Sequence, residues 1–284
     1  MRVLVLGVSG MLGNAMIRVL SESGRQDVFG TARSASILRF FTPDIRERVI
    51  TGVDIENQDS VVRVFAQVKP QVVVNCIGLV KQLATASDPL VALPVNALLP
   101  HRLSRLCKVG NARLVHVSTD CVFSGSKGNY LESDKSDAED LYGKSKFLGE
   151  VTDAHAITVR TSIIGHALAG SHGLIDWFLS QEGRVPGYTN AIFSGLPTVE
   201  LAHVIRDLII PNAQLSGLYH VASAPIAKFD LLQIVRQVYG KTTEIVPDDT
   251  VVIDRSLNAD RFRKATGYVA PKWLELTKKM HQFR

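Results

Sequence analysis

Short β-branched runs alternate with longer, helically spaced segments through the first two thirds of the chain, and this alternation leaves few folds open. The runs are Val3–Leu6, Val28–Thr31, Val72–Asn75, Arg113–Ser118 and Ile157–Arg160. Between them the spacing predicts helices over Met11–Ser23, Asp59–Val68, Pro89–Val109 and Leu141–Thr152. Residues 72–74 read Val-Val-Val, apolar without alternation, as in strands covered on both faces. Strand–helix–strand repetition predicts an α/β fold, a doubly wound parallel sheet with helices on both sides and right-handed crossovers.

The pattern changes after about Gly165. Residues 165–197 hold Gly165, Gly170, Gly173, Gly183, Gly187 and Gly195 with Pro186 and Pro197, which suggests a loop-rich lobe. Helical spacing returns at Val199, Ala202, Ile205 and Leu208, and again from Leu231 to Tyr239, with a strand expected over 217–222 between them. The expected organisation is a cofactor domain over 1–165, to which the chain returns around 198–222. A smaller C-terminal substrate lobe is built mainly from 166–284.

Composition narrows the function classes. The 284 residues are 46% hydrophobic and 21% charged, a globular balance that excludes a disordered or coiled-coil protein. The net charge of +5 comes from scattered residues, so a nucleic-acid partner is not expected. Three cysteines (Cys76, Cys107, Cys121), with no Cys-x-x-Cys pair, fit a reducing cytoplasm. No apolar stretch reaches the length of a membrane span, and the run after Met1 is too short for a signal-peptide core. The histidines lack metal-ligand spacing, so no metal is expected.

Gly7-Val-Ser-Gly10-Met-Leu-Gly13 closes the first strand and opens the first helix. Gly7 allows a tight turn, Gly10 lets a pyrophosphate approach the backbone, and Gly13 lets helix pack on strand. The helix start offers free N–H groups to anionic oxygens. A βα turn without a ligand could share the spacing; its place at the first strand favours a dinucleotide. The second strand ends in Phe29-Gly-Thr-Ala-Arg33-Ser34, with no carboxylate for a ribose hydroxyl. Arg33 can pair with a 2′-phosphate and Ser34 can add a hydroxyl, which predicts NADP(H). Asp54-Ile55 is the expected adenine edge.

Tyr142-Gly-Lys-Ser-Lys146 puts Tyr142 and Lys146 four apart, on one helix face. A nearby ammonium and an oxidised nicotinamide would lower the phenol's pKa and suit it to acid–base work. Upstream, Thr119 stands at the end of the Arg113–Ser118 run, where a doubly wound sheet binds its ligands. Its hydroxyl can hydrogen-bond a carbonyl beside the phenol. Tyr268-Val-Ala-Pro-Lys272 repeats the Tyr/Lys spacing, but Pro271 makes a helical face there unexpected.

The ordered set Gly7-x-x-Gly10-x-x-Gly13, Asp54, Asn75-Cys-Ile-Gly78, Asn96, Ser118-Thr119-Asp120, Tyr142-x-x-x-Lys146 and Arg160-Thr-Ser resembles the extended short-chain dehydrogenase/reductases. Within them, Ser-Thr-Asp-Cys-Val-Phe-Ser-Gly125, Tyr-Gly-Lys-Ser-Lys-Phe-Leu-Gly-Glu150 and Gly195-Leu-Pro-Thr198 are most similar to the dTDP-4-dehydrorhamnose reductase family. The resemblance spans nearly the whole chain and implies a Rossmann domain. It also implies a Thr119, Tyr142 and Lys146 triad. Implied cofactor contacts are the glycine loop (Gly7, Ser9, Gly10, Met11, Leu12, Gly13), Arg33, Ser34, Asp54, Ile55, Cys76, Ile77, Gly78 and Asn96. Two departures mark this chain: Cys121 stands where the family usually has Tyr, and Ile163 where it has Trp. Related sugar dehydratases carry Asp-Glu after the threonine; Asp120-Cys121 here argues against dehydration.

The expected activity is NADPH-dependent reduction of the 4-keto group of a nucleotide-diphosphate deoxysugar for polysaccharide or glycan precursors. The alternatives are a nucleotide-sugar epimerase that keeps its cofactor, and a non-catalytic NADP-binding regulatory subunit. A homodimer is implied by the family alone. Cys121 reads as a small apolar filler, and His203 as a packing or surface residue. Lys228, Arg255, Arg261 and Arg263 are either diphosphate contacts or solvated charges, and Trp177-Phe178 either a base-stacking pair or core.

Overall fold

The computed structural model describes residues 1–79, 87–169 and 173–284. Gly170, counted above in the loop-rich stretch, lies outside the described residues. The first half of the chain runs β1 (Arg2–Leu6), α1 (Met11–Glu22), β2 (Asp27–Thr31), α2 (Pro43–Arg46), β3 (Val49–Ile50), α3 (Gln58–Val68), β4 (Val72–Asn75), α4 (Pro89–Ala92), α5 (Leu99–Val109), β5 (Arg113–Thr119), α6 (Leu141–Leu148) and β6 (Ala156–Thr161). Then come β7 (Ile163–Ile164), α7 (Leu174–Ser180), β8 (Arg184–Tyr188), β9 (Ala191–Phe193), β10 (Leu196–Pro197), α8 (Thr198–Val204), β11 (Gly217–His220), β12 (Ile226–Ala227), α9 (Lys228–Tyr239), β13 (Glu244–Asp248), β14 (Ile253–Asp254), α10 (Asp260–Thr266) and α11 (Trp273–Gln282).

Seven strands form one parallel sheet in the order β11-β6-β5-β4-β1-β2-β3. The chain starts in the middle at β1, winds outward through β2 and β3, then crosses to β4 and winds the other way. The order therefore reverses between β1 and β4, and the ends of these two strands open a crevice. Each face of the sheet has its own core. Val3, Val5, Val74 and Val115 pack under α1 and α8, while Leu4, Leu6, Val73 and Leu114 pack under α3 and α5. The doubly wound α/β sheet expected from the sequence is the fold observed.

Three local features position the site. Gly7 sits at φ +83°, and a Cβ on Gly13 would overlap the Gly7 carbonyl, so the chain turns tightly from β1 into α1. The helix expected over Pro89–Val109 is continuous but opens into a π turn at Leu93–Leu98. Such a turn suits a segment containing Pro94 and Pro100, which supply no N–H for a regular helix. The helix expected to run to Thr152 stops at Leu148, because Gly149 presses so closely on the Asn96 carbonyl that no Cβ would fit.

The remaining strands make small sheets beyond the carboxyl edge of the large one. β12, β9 and β14 form one, and β8 pairs with β13. α8 lies against α1, and β11 extends the large sheet next to β6. The strand expected over 217–222 is realised over Gly217–His220. Periodicity gave no sign of the two-residue β3 or the short helices between Ala35 and Arg46.

Candidate active site

The crevice at the β1/β4 switch is an open cleft with a cavity volume of about 260 Å³. Its floor is Gly7, Ser9 and Gly10 and its far wall is Asp54, Ile55 and Glu56. Cys76, Ile77, Gly78 and Leu79 form the near wall, and exposed Arg33 stands at the rim beside Thr31 and Ala32. The α1 N-terminus that faces this floor has no side-chain cap and no acidic residue in its first turn. Its N–H groups are therefore not taken by a side chain, which suits a pyrophosphate. The residues present fit a dinucleotide, and the basic rim fits one with an extra phosphate.

Not every expected contact lines this cleft. Met11 begins α1, and Leu12 and Gly13 are buried in its first turn. Ser34 is turned to its own chain: its hydroxyl accepts from Ser36 N and bonds the Ser36 hydroxyl at 2.9 Å, starting a 3₁₀ turn. Among the lining residues that sequence reading missed are Val53, Glu56, Leu79, Val91 and Val95. Val91 and Val95 come from α4 and the π turn, brought in by the tertiary fold.

The wall after β4 is held by polar groups beneath it. Asn75 Oδ1 accepts from Ile77 N at 3.1 Å, and Asn75 Nδ2 donates to His116 Nδ1 at 3.1 Å. His116 is fully buried, and burial together with the Lys146 charge holds it neutral, well below its ordinary pKa. Asn96, at 1% exposure, accepts from Leu79 N at 3.0 Å and donates to Ser145 on α6 at 3.1 Å. Asn96 thus ties the cleft wall to the helix that carries Tyr142 and Lys146.

At the Gly78 end the cleft meets Lys146. A Cβ on Gly78 would lie 3.5 Å from Lys146 Nζ, so the glycine lets the cleft end come up close to the buried ammonium. Nζ donates to the Val117 carbonyl at 2.9 Å. Burial lowers the Lys146 pKa to about 8, against the opposing charge of Glu150. Burial pushes the Cys76 thiol up to about 12, so it stays a thiol.

Tyr142 and Thr119 stand together, with a hydrogen bond between their side chains. The Thr119 hydroxyl also donates to Asp120 Oδ1 at 3.1 Å and accepts from Cys121 N at 3.1 Å. The phenol differs from expectation. Burial raises its pKa, and the neighbouring Cys121 and Asp120 raise it further; only the Thr119 bond pulls it down. In the protein alone, desolvation outweighs any help from the ammonium, and Tyr142 holds its proton.

Behind this corner runs a buried chain of charge. Arg160 meets Glu150 through Nε and Nη2 at 2.7 Å each, and Ser118 donates to Glu150 at 2.8 Å. Both partners of the ion pair are nearly inaccessible.

Cys121 is no apolar filler: Arg255 Nη1 lies 3.8 Å from its sulfur, and Asp120 and Tyr142 adjoin it. Arg261 stacks on Tyr219 and Arg263 pairs with Asp260 on the surface. Phe178 is fully buried in the core. Tyr268 bonds Glu200, far along the chain from Lys272's helix start, so the second Tyr/Lys spacing makes no shared face.

The RmlD substrate binding domain model matches residues 1–266. The probable low-salt glycan biosynthesis reductase Agl14 of Haloferax volcanii is 29% identical over 92% of this chain and 85% of its own. A dTDP-4-dehydrorhamnose reductase of Aggregatibacter actinomycetemcomitans is 27% identical over 87% of this chain and 82% of its own. The crystal structure of a hypothetical dTDP-4-dehydrorhamnose reductase from Sulfolobus tokodaii superposes with a TM-score of 0.78 at 25% identity, covering 96% of this chain and 98% of that one. The dTDP-4-dehydrorhamnose reductase of Bacillus anthracis, solved in complex with NADP, gives a TM-score of 0.80 at 20% identity, with 99% of both chains covered, and shows the shared fold. On the match over 1–266, the chain belongs to the RmlD substrate binding domain family, the dTDP-4-dehydrorhamnose reductase-like group of extended short-chain dehydrogenase/reductases.

Proposed function

We propose that this chain is an NADPH-dependent reductase of the 4-keto group of a nucleotide-activated deoxysugar, serving polysaccharide or glycan precursor synthesis. The observation that carries the reading is the meeting of Lys146, at the Gly78 end of a dinucleotide-shaped cleft, with a protonated Tyr142 one turn away on α6. NADPH, when bound, supplies the hydride. Gly7, Ser9, Gly10 and the start of α1 (Met11, Leu12, Gly13) hold the pyrophosphate. Arg33 would take the 2′-phosphate, and Asp54 and Ile55 would border the adenine. Cys76, Ile77, Gly78 and Asn96 shape the nicotinamide half, and Lys146 donates to the adjoining ribose.

Tyr142 would give its proton to the sugar oxygen, and its raised pKa keeps that proton on the phenol until then. Thr119 orients the carbonyl. Residues 1–165, with the return over 198–222, serve the cofactor, and 166–284 mainly hold the nucleotide end, where remote binding energy positions the reacting carbon. A cytoplasmic enzyme fits three free cysteines, and among the described residues no helix is long and apolar enough to cross a membrane. Exposed Leu98, Phe147 and Leu148, drawn together by the bond between His101 and the Leu148 carbonyl, suit a homodimer face.

The test is NADPH oxidation against dTDP-4-dehydrorhamnose and related keto sugars. One NADPH consumed per sugar supports reduction, while isomerised sugar without consumption supports an epimerase. Tyr142→Phe should lower turnover by about 10²- to 10⁴-fold with NADPH affinity kept. Unchanged turnover would remove Tyr142 from the chemistry.

A further inference from the structure

Arg255 belongs to the C-terminal part of the chain, yet its side chain ends at the catalytic turn. The segment that carries it is seated deliberately against residues 123–130. Asp254 N donates to the Gly125 carbonyl at 2.7 Å, Tyr130 N donates to the Ser256 carbonyl at 2.9 Å, and Asn129 N donates to the Ser256 hydroxyl at 2.8 Å. Gly125, at φ +91°, makes the approach possible, since a Cβ there would run into Ile253 and crowd Arg255 Cγ. From this seat Arg255 Nε donates to the Phe123 carbonyl at 2.9 Å, and Nη1 reaches the Cys121 sulfur at 3.8 Å.

The turn so held contains Asp120, 5% exposed, whose Oδ1 takes the Thr119 proton. A hydroxyl has one proton and two lone pairs. With the proton committed to Asp120, the Thr119 oxygen accepts from Cys121 N. The hydroxyl is thereby held in one orientation beside the Tyr142 phenol that it adjoins. A protonated Asp120 would instead donate to Thr119, release the threonine proton and undo that orientation.

Resting on Tyr142 as the proton donor proposed above, we infer that Arg255 is a positioning residue of the reductase: it clamps the Thr119–Phe123 turn and sets its charge against the Asp120 carboxyl, which in turn orients Thr119 beside Tyr142. The charged and titratable groups facing Asp120 are Arg255 from beyond β14, the Cys121 thiol on its own turn and the Tyr142 phenol from α6; the Thr119 and Ser162 hydroxyls also bond it. Burial raises the Asp120 pKa above the ordinary carboxylate value, and Arg255 opposes that rise.

The experiment follows Asp120 and turnover in parallel. Protein labelled with ¹³C at aspartate carboxyls is titrated by NMR, with the Asp120 signal assigned by its loss in Asp120→Asn. NADPH oxidation is measured across pH on the same proteins. In Arg255→Gln the Asp120 midpoint should rise by about one pH unit or more. The acid-side fall in kcat should move up by the same interval, with KM for the sugar nearly unchanged. Arg255→Lys, which keeps the charge, should return part of the midpoint, and Asp120→Asn should lower kcat at every pH and erase the limb. An Asp120 midpoint that does not move in Arg255→Gln overturns the inference, as does a raised KM with kcat and its pH profile intact, which would make Arg255 a substrate contact. The NMR titration needs no turnover, so it stands even if the keto-sugar assay fails. Should Arg255→Gln not fold, the lysine variant and Asp120→Asn decide alone.

Discussion

The ammonium of Lys146 donates to the carbonyl of Val117 at 2.9 Å, binding the middle of α6 to the strand that ends in Thr119. One bond therefore fixes the spacing between the helix that carries the phenol and the strand that carries the hydroxyl. The charge is nonetheless poorly hydrated. A pKa brought from 10.5 to about 8 means that folding around the charged form costs about 3 kcal/mol, at about 1.4 kcal/mol per pH unit.

Two consequences follow for pH. Between about 8 and 10.5 the unfolded chain holds the Lys146 proton and the folded chain does not. Stability therefore gains from this residue as pH rises through that window, and the cost is fully present below it. Lys146→Met should raise stability near pH 7 by about 1–2 kcal/mol, after allowing about 1–2 kcal/mol for the stranded Val117 carbonyl. The gain should shrink above pH 8. Turnover should vanish in the variant, and wild-type turnover should fall as pH rises through about 8. Urea denaturation at several pH values, beside an NADPH assay, checks both; a variant less stable at pH 7 than at pH 10 relative to wild type would contradict the sign.

Arg33 stands at the cleft rim with no carboxylate after β2. Arg33→Glu should weaken NADPH binding by about tenfold or more, the worth of one charge-assisted phosphate pair, and leave NADH binding much less affected. Fluorescence titration of both nucleotides gives the ratio. An unchanged ratio would mean that the 2′-phosphate is held elsewhere.

The parts of this fold legible in the sequence are those that periodicity and single-residue stereochemistry control. Val72–Asn75 reads as a strand because four adjacent side chains are buried on both faces, and the Gly7–Gly13 turn reads because no other residue fits Gly7 and Gly13. Tyr142 and Lys146 were visible through helical spacing and through family resemblance. What stayed hidden depends on partners distant in sequence. Nothing near Arg255 points to Phe123, and nothing in Asn75 points to His116, because hydrogen bonds across 132 and 41 residues leave no local periodicity. The raised pKa of Tyr142 was hidden for the same reason: burial is a property of the assembled site, whereas an ammonium four residues away is a property of the sequence.

Arg160 and Glu150 face each other with side-chain exposures of 2% and 7%, and Ser118 and His220 bond to the same pair. Removing one member strands the other charge in a medium that cannot hydrate it. Arg160→Met should therefore cost about 3–5 kcal/mol, measured as a shift in the urea midpoint. Glu150→Gln removes the charge that most supports the Lys146 proton. Besides losing stability, this variant should start its alkaline fall in turnover at a lower pH than wild type. The two readouts separate a structural pair from one that also tunes the site. If Glu150→Gln loses stability while its alkaline limb stays where it was, Glu150 supports the fold alone. If the limb moves toward neutrality, the carboxylate also sets the charge of the lysine that adjoins the cleft.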